Sequence, residues 1–119
     1  MNFKENKAIY LQIADYFCEK ILTKEWKSGD RIPSIREISS MLEVNPNTAM
    51  RAYTFLQEMR VIYNQRGIGY FVSEDGYKKA LNLKRDEFME DDLPELFKSM
   101  DLLGIGLEDL KDIYQKYHT

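Results

Sequence analysis

The stretch Ile32-Pro33-Ser34-Ile35-Arg36-Glu37-Ile38-Ser39-Ser40-Met41-Leu42-Glu43-Val44-Asn45-Pro46-Asn47-Thr48-Ala49-Met50-Arg51-Ala52-Tyr53, closing at Leu56, decides the fold, because it contains two helix starts of different chemistry. At the first, the Ser34 hydroxyl is placed to accept from the Glu37 backbone N–H while the Glu37 carboxylate reaches back to the N–H of Ser34, a capping box. At the second, Asn45 caps and Pro46 takes the first helical position, where a missing N–H costs nothing. Ile35, Ile38 and Leu42 recur at helical spacing and Val44 fills the turn, so the spacing predicts two helices, about 34–41 and 46–58, in a helix-turn-helix.

On the second of these helices Ala49, Ala52, Tyr53 and Leu56 share one face and Asn47, Met50, Arg51 and Thr54 the other. The first set is a small and aromatic core face. The second carries an amide, a hydroxyl and a guanidinium, groups that hydrogen-bond base edges or phosphates. Taken alone, it is equally a solvated face of a core helix.

Upstream, residues 8–23 form an amphipathic pattern with Tyr10, Ile13, Ala14, Phe17 and Ile21 on one stripe. Trp26 beside the Ser28-Gly29-Asp30 turn is expected to cover the end of the core. Cys18 is the one cysteine, so no internal disulfide forms, and it reads as a small buried apolar residue. Downstream, Val61-Ile62-Tyr63-Asn64 and Tyr70-Phe71-Val72 flank Gln65-Arg66-Gly67-Ile68-Gly69, which predicts a β-hairpin with Arg66 near its tip. A hairpin there suits a wing, with Arg66 supplying a phosphate or minor-groove contact.

These motifs together resemble the winged helix-turn-helix of the GntR transcription regulators over residues 8–73. Pro33-Ser34-x-Arg36, Val44-Asn45-Pro46-Asn47-Thr48, Arg51-Ala52-Tyr53 with Leu56, and Arg66-Gly67-x-Gly69-x-Phe71-Val72 are similar to the short YtrA-like branch. The resemblance implies that Arg36, Asn47, Thr48, Arg51, Arg66 and Gly67 meet DNA, and Asn45 at the turn joins this candidate set. Two departures stand out: Ile68 and Tyr70 occupy wing positions that are usually lysine and threonine in the family, and Arg60 stands where glycine is usual near the end of the helix expected over 46–58.

The net charge is −3 over 119 residues, unusual for a nucleic-acid binder until it is divided. Residues 1–72 carry 10 Lys and Arg against 8 Asp and Glu, and residues 73–119 carry 7 against 12. A mildly basic front is followed by an acidic back. No apolar run approaches the roughly 18 residues of a membrane span, and Met1–Asn6 lacks the apolar core of a secretory signal. A cytoplasmic location is expected.

Over 74–119 the apolar series Leu81, Leu83, Phe88, Leu93, Leu96, Phe97, Met100 and Leu103 predicts helix, with Pro94 either opening a new helix or kinking a long one. Gly104-Ile105-Gly106 breaks it, and Leu107, Leu110, Ile113, Tyr114 and Tyr117 mark a last amphipathic helix. Short helices this apolar are expected to pack on a second copy, with Leu81, Phe88, Leu93, Leu96, Phe97, Met100 and Leu103 as the dimerisation surface. Glu90-Asp91-Asp92 reads as a solvated acidic face rather than a metal site.

The expected architecture is thus mainly α with a small β-hairpin: a winged helix-turn-helix domain over 1–73 and a helical dimerisation segment over 74–119. The leading function is a homodimeric transcription regulator, a repressor by analogy with the family, on an inverted-repeat operator in double-stranded DNA. The alternative is a winged-helix module docking a protein through its apolar tail. An enzyme has least support: no nucleophile, base and orienting group stand out, and the single histidine, His118, is penultimate. No cofactor or metal is called for, and a small-molecule effector stays open, with no residue set pointing to one.

Overall fold

A computed structural model of the protein describes residues 7–119, so the reading of Met1–Asn6 lies outside the described residues. The chain forms two compact units, the first ending at Lys84 and the second running Arg85–Thr119. That division falls inside a helix that begins at Gly76.

In the first unit the order is α1 (Ile9–Leu22), β1 (Arg31–Ile32), α2 (Ile35–Leu42), α3 (Pro46–Glu58), β2 (Ile62–Gln65), β3 (Gly69–Val72) and α4 (Gly76–Glu87), the last crossing the division. The hairpin of β2 and β3 is extended by a strand not anticipated from the sequence. β1 pairs antiparallel with β3, Arg31 opposite Phe71 and Ile32 opposite Tyr70, giving the order β1-β3-β2. A strand of two residues is too short for its alternation to register as a pattern, although Arg31 is exposed and Ile32 buried as the pleat requires.

Phe17, Ile21, Ile38, Tyr53, Leu56, Val61, Ile62 and Val72 form the centre of the core. Cys18 is buried among them, as a small apolar residue in α1 should be. Trp26 closes one end edge-on to Phe17, with ring centroids 5.1 Å apart at 90°. Beyond β3, α4 begins at Gly76, where an added Cβ would lie 2.7 Å from Val72 Cγ1 and 2.9 Å from the Val61 carbonyl oxygen. Only glycine lets the helix start so close to the sheet. Ala80 is buried on α4 and Leu83 packs against this same core. On its surface Asp15 accepts from Lys7 Nζ and Lys84 Nζ, each at 2.6 Å.

The second unit takes in the end of α4, a π-helical turn (Phe88–Asp92), α5 (Leu93–Leu103) and α6 (Leu107–Tyr117). Pro94 lies in the first turn of α5, which begins directly after Asp91-Asp92 and without a side-chain cap from Asp92. Ahead of it the helix widens by a π turn closed by Leu93 N–H donating to the Phe88 carbonyl. Proline has no N–H to give the carbonyl four residues back and its ring crowds that carbonyl, so the wider ring relieves both problems. Gly104 ends α5 in the left-handed conformation, and the Gly106 N–H donates to Asp109 Oδ2 at 3.0 Å to begin α6.

Candidate nucleic-acid interface

Burial of Ala49, Ala52, Tyr53 and Leu56 fixes how α3 is rotated. Asn47, Met50, Arg51 and Thr54 therefore point to solvent, as the periodicity predicts, and Thr48 is half-buried at the first turn. The rotation is locked by the Tyr53 hydroxyl, which donates to the Pro33 carbonyl ahead of α2. Burial, chiefly, pushes the Tyr53 phenol well above its ordinary value, so it stays a neutral donor.

Both helix starts form as the sequence predicts. Ser34 Oγ accepts from Glu37 N–H at 3.1 Å, and Glu37 Oε1 accepts from Ser34 N–H at 2.8 Å. That backbone bond, then the serine hydroxyl, then the nearby Arg31 charge hold the Glu37 carboxyl below its ordinary value. Asn45 Oδ1 accepts from Asn47 N–H at 2.8 Å. Its oxygen is thereby committed to the cap, leaving the amide NH₂ to donate outward. Between the helices Glu43 adopts φ 52°, and Val44 N–H donates to the Ser39 carbonyl at 3.0 Å. This left-handed residue makes the turn tight.

The wing turns at Gln65-Arg66-Gly67-Ile68, closed by Ile68 N–H donating to the Gln65 carbonyl at 2.9 Å. Gly67 has φ +79° in open space, a backbone conformation that glycine alone adopts freely. Arg66, Gly67 and Ile68 are exposed at the tip.

All seven candidate DNA-binding residues, Arg36, Asn45, Asn47, Thr48, Arg51, Arg66 and Gly67, belong to the first unit and none is buried. Two relationships were not visible in the sequence. Arg51 lies over the ring of Tyr10 on α1. Arg31, on the unanticipated strand, runs along the wing at Gly69.

The candidate dimerisation residues are distributed differently. Leu81 lies in the first unit and is half-buried; Phe88, Leu96, Phe97 and Leu103 are exposed, and Leu93 is half-buried. Met100 is already covered in the single chain, at 8% exposure. The most exposed apolar side chain of the tail is Leu102, at 84%, outside that candidate set.

Residues 9–72 match the family model of bacterial regulatory proteins of the gntR family. The chain belongs to the GntR family. It is 33% identical over 91% of its length to the uncharacterized HTH-type transcriptional regulator YhcF of Bacillus subtilis, covering 88% of that protein. It is 31% identical over 92% of its length to the HTH-type transcriptional repressor YtrA of the same organism, covering 83% of it. Among solved structures, a putative transcriptional regulator of the GntR family from Bacteroides thetaiotaomicron superposes with a TM-score of 0.76 at 39% identity, over 92% of this chain and 96% of that one. This GntR-family chain is therefore a helix-turn-helix transcriptional regulator of the YtrA-like kind, with a winged DNA-binding domain. Regulation of transcription is not an enzymatic role. No helix among the described residues is long and apolar enough to cross a membrane.

Proposed function

We propose that this GntR regulator is a homodimeric repressor of its own operon, binding an inverted repeat through α3 and the wing and dimerising through the helices that follow α4. The observation that carries the reading is α3 itself. A fully buried small-residue face holds the helix against the core, and the opposite face offers Asn47 and Arg51 with the exposed tip residues Arg66 and Gly67 on the wing.

Arg51 is suited to bidentate recognition of guanine, and Asn47 to adenine. Arg36, Arg66 and the Gly67 backbone suit phosphate or minor-groove contact. Two copies related by a two-fold axis would present their α3 helices to half-sites about 34 Å apart. Exposed Leu102, Leu103, Leu107, Ile113 and Tyr114 supply the apolar surface a second copy would cover. The relative YtrA is named a repressor, which supports the same sign of control here.

The test is binding to a duplex spanning the promoter of its own operon, titrated with salt. A sequence-preferring complex whose affinity falls steeply with salt is expected, at a log–log slope of about −0.9 per phosphate neutralised. A flat salt response, or no preference over unrelated duplex, would count against it and favour a protein-docking module.

A further inference from the structure

We infer that Arg31 is a further contact to the DNA backbone, its guanidinium carried on the outer face of the sheet across Gly69. The inference rests on the DNA-binding reading above and adds to it a residue from β1, an element outside the helix-turn-helix and the hairpin.

Four observations place the group. Ile32 is buried and Arg31 exposed, so the strand aims the arginine away from the core. Its cross-strand partner is Phe71, which is opposite Tyr63, so the three share the outer face. A Cβ built at Gly69 would lie 3.0 Å from Arg31 Nε and 3.2 Å from Nη2, so the guanidinium occupies the space that this glycine leaves open. Its charge is also felt at Glu37, after the two Ser34 hydrogen bonds that dominate there, which puts it near the start of α2.

The same position explains why the charge is unspent. No carboxylate of the described residues lies within ion-pair distance of Arg31; the neighbouring Glu37 carboxylate is engaged by the backbone N–H of Ser34. An exposed, unpaired guanidinium alongside the wing at Gly69 is suited to a phosphate oxygen, which it can meet with two parallel N–H donors. It adds a cation to a wing whose tip holds Ile68.

The experiment uses the full chain with two short duplexes, one spanning its own promoter and one of unrelated sequence, titrated over about 50–200 mM salt. Arg31→Gln retains the stem and removes the charge; Arg31→Lys restores the charge. Arg31→Gln is expected to weaken binding to both duplexes by a similar factor, on the order of tenfold, and to reduce the slope by about 0.9, with Arg31→Lys recovering the slope. Thermal unfolding is expected to be unchanged. Parental slope and affinity in Arg31→Gln would overturn the inference alone, as would lost stability without a change of slope. If the parent binds neither duplex in a salt-dependent way, the DNA-binding reading fails and the inference goes with it.

Discussion

The guanidinium of Arg51 sits over the ring of Tyr10, its Cζ 4.2 Å from the centroid, so a residue of α3's outer face is positioned by α1. Tyr10 is itself held edge-on by Phe55, with centroids 6.2 Å apart at 77°. A planar cation stacked this way retains its fork of donors and loses less freedom on binding than a free side chain. Arg51→Ala should cost about 1–3 kcal/mol of binding and relax preference at one base position. Arg51→Lys should not restore that preference. Tyr10→Leu keeps the apolar contact with Phe55 but frees Arg51, and should give a smaller loss. Fluorescence anisotropy across single-base operator variants measures all three; Arg51→Ala binding every variant as the parent does would remove Arg51 from the reading set.

The capping box gives α2 a pH dependence of known sign. Glu37 has a lowered carboxyl value because it accepts from the Ser34 N–H and hydroxyl, so the folded state binds this proton less readily than the unfolded chain. The stabilisation is complete above the ordinary value of 4.5 and is lost as pH falls through the lower folded value. Ser34→Ala should cost about 1 kcal/mol at neutral pH. Denaturant midpoints for parent and Glu37→Ala should converge between neutral pH and strong acid. A gap that stays constant would show that the carboxylate contributes nothing to the cap.

Tyr53 ties α3 to the segment before α2 through the Pro33 carbonyl. Tyr53→Phe keeps the buried ring, including its edge contact with Phe17 at 5.2 Å, and removes only the hydrogen bond, so about 1 kcal/mol should be lost. Because burial raises the phenol's value, the parent should hold its stability up to the ordinary value of 10.0 and lose it above that, as the unfolded chain ionises first. Tyr53→Phe should lack this part of the alkaline loss. Equal alkaline curves for the two proteins would refute the assignment.

Arg60 ends the turn after α3 at φ +62°, in the left-handed region where glycine is at ease and a side chain is not. Family sequences usually place glycine there. Arg60→Gly should stabilise the chain by roughly 0.5–1 kcal/mol, offset in part by glycine's greater freedom when unfolded. Thermal unfolding tests it, and a lower midpoint would mean that the arginine side chain compensates for its backbone.

What could be read from the sequence was local hydrogen-bond chemistry and period. Ser34 with Glu37, and Asn45 with Pro46, specify helix starts within four residues, and the small buried face of α3 announces itself through Ala49, Ala52 and Tyr53. The site residues on those elements follow directly. What stayed hidden depends on partners distant in the chain. Arg51 and Tyr10 are on different helices; Arg31 acquires its place only when β1 pairs with β3. Leu83 reads as part of the tail series but packs on the first unit's core, because nothing local says where α4 stops belonging to one unit. At Pro94 the deciding fact is that a helix is already running when the proline arrives, which the residue alone does not encode.

The tail gives the most direct test of assembly. Leu102 and Leu107 are 84% and 73% exposed, so placing a charge on either should cost the single chain little, since surface changes usually stay within about 0.5 kcal/mol. In a dimer that covers them the same charge is buried without a partner, at a cost of several kcal/mol. The double variant Leu102→Glu, Leu107→Glu should therefore sediment as a monomer at concentrations where the parent is a dimer, with unchanged circular dichroism. Its affinity for an inverted repeat should fall towards that for a single half-site, because the second half-site is no longer engaged at high effective concentration. Met100→Ala separates packing from assembly: it is covered in the single chain, so it should lower stability by about 2 kcal/mol or more. A double variant that remains dimeric would move the interface away from Leu102 and Leu107, and a parent monomeric at every concentration would remove the dimer from the proposal.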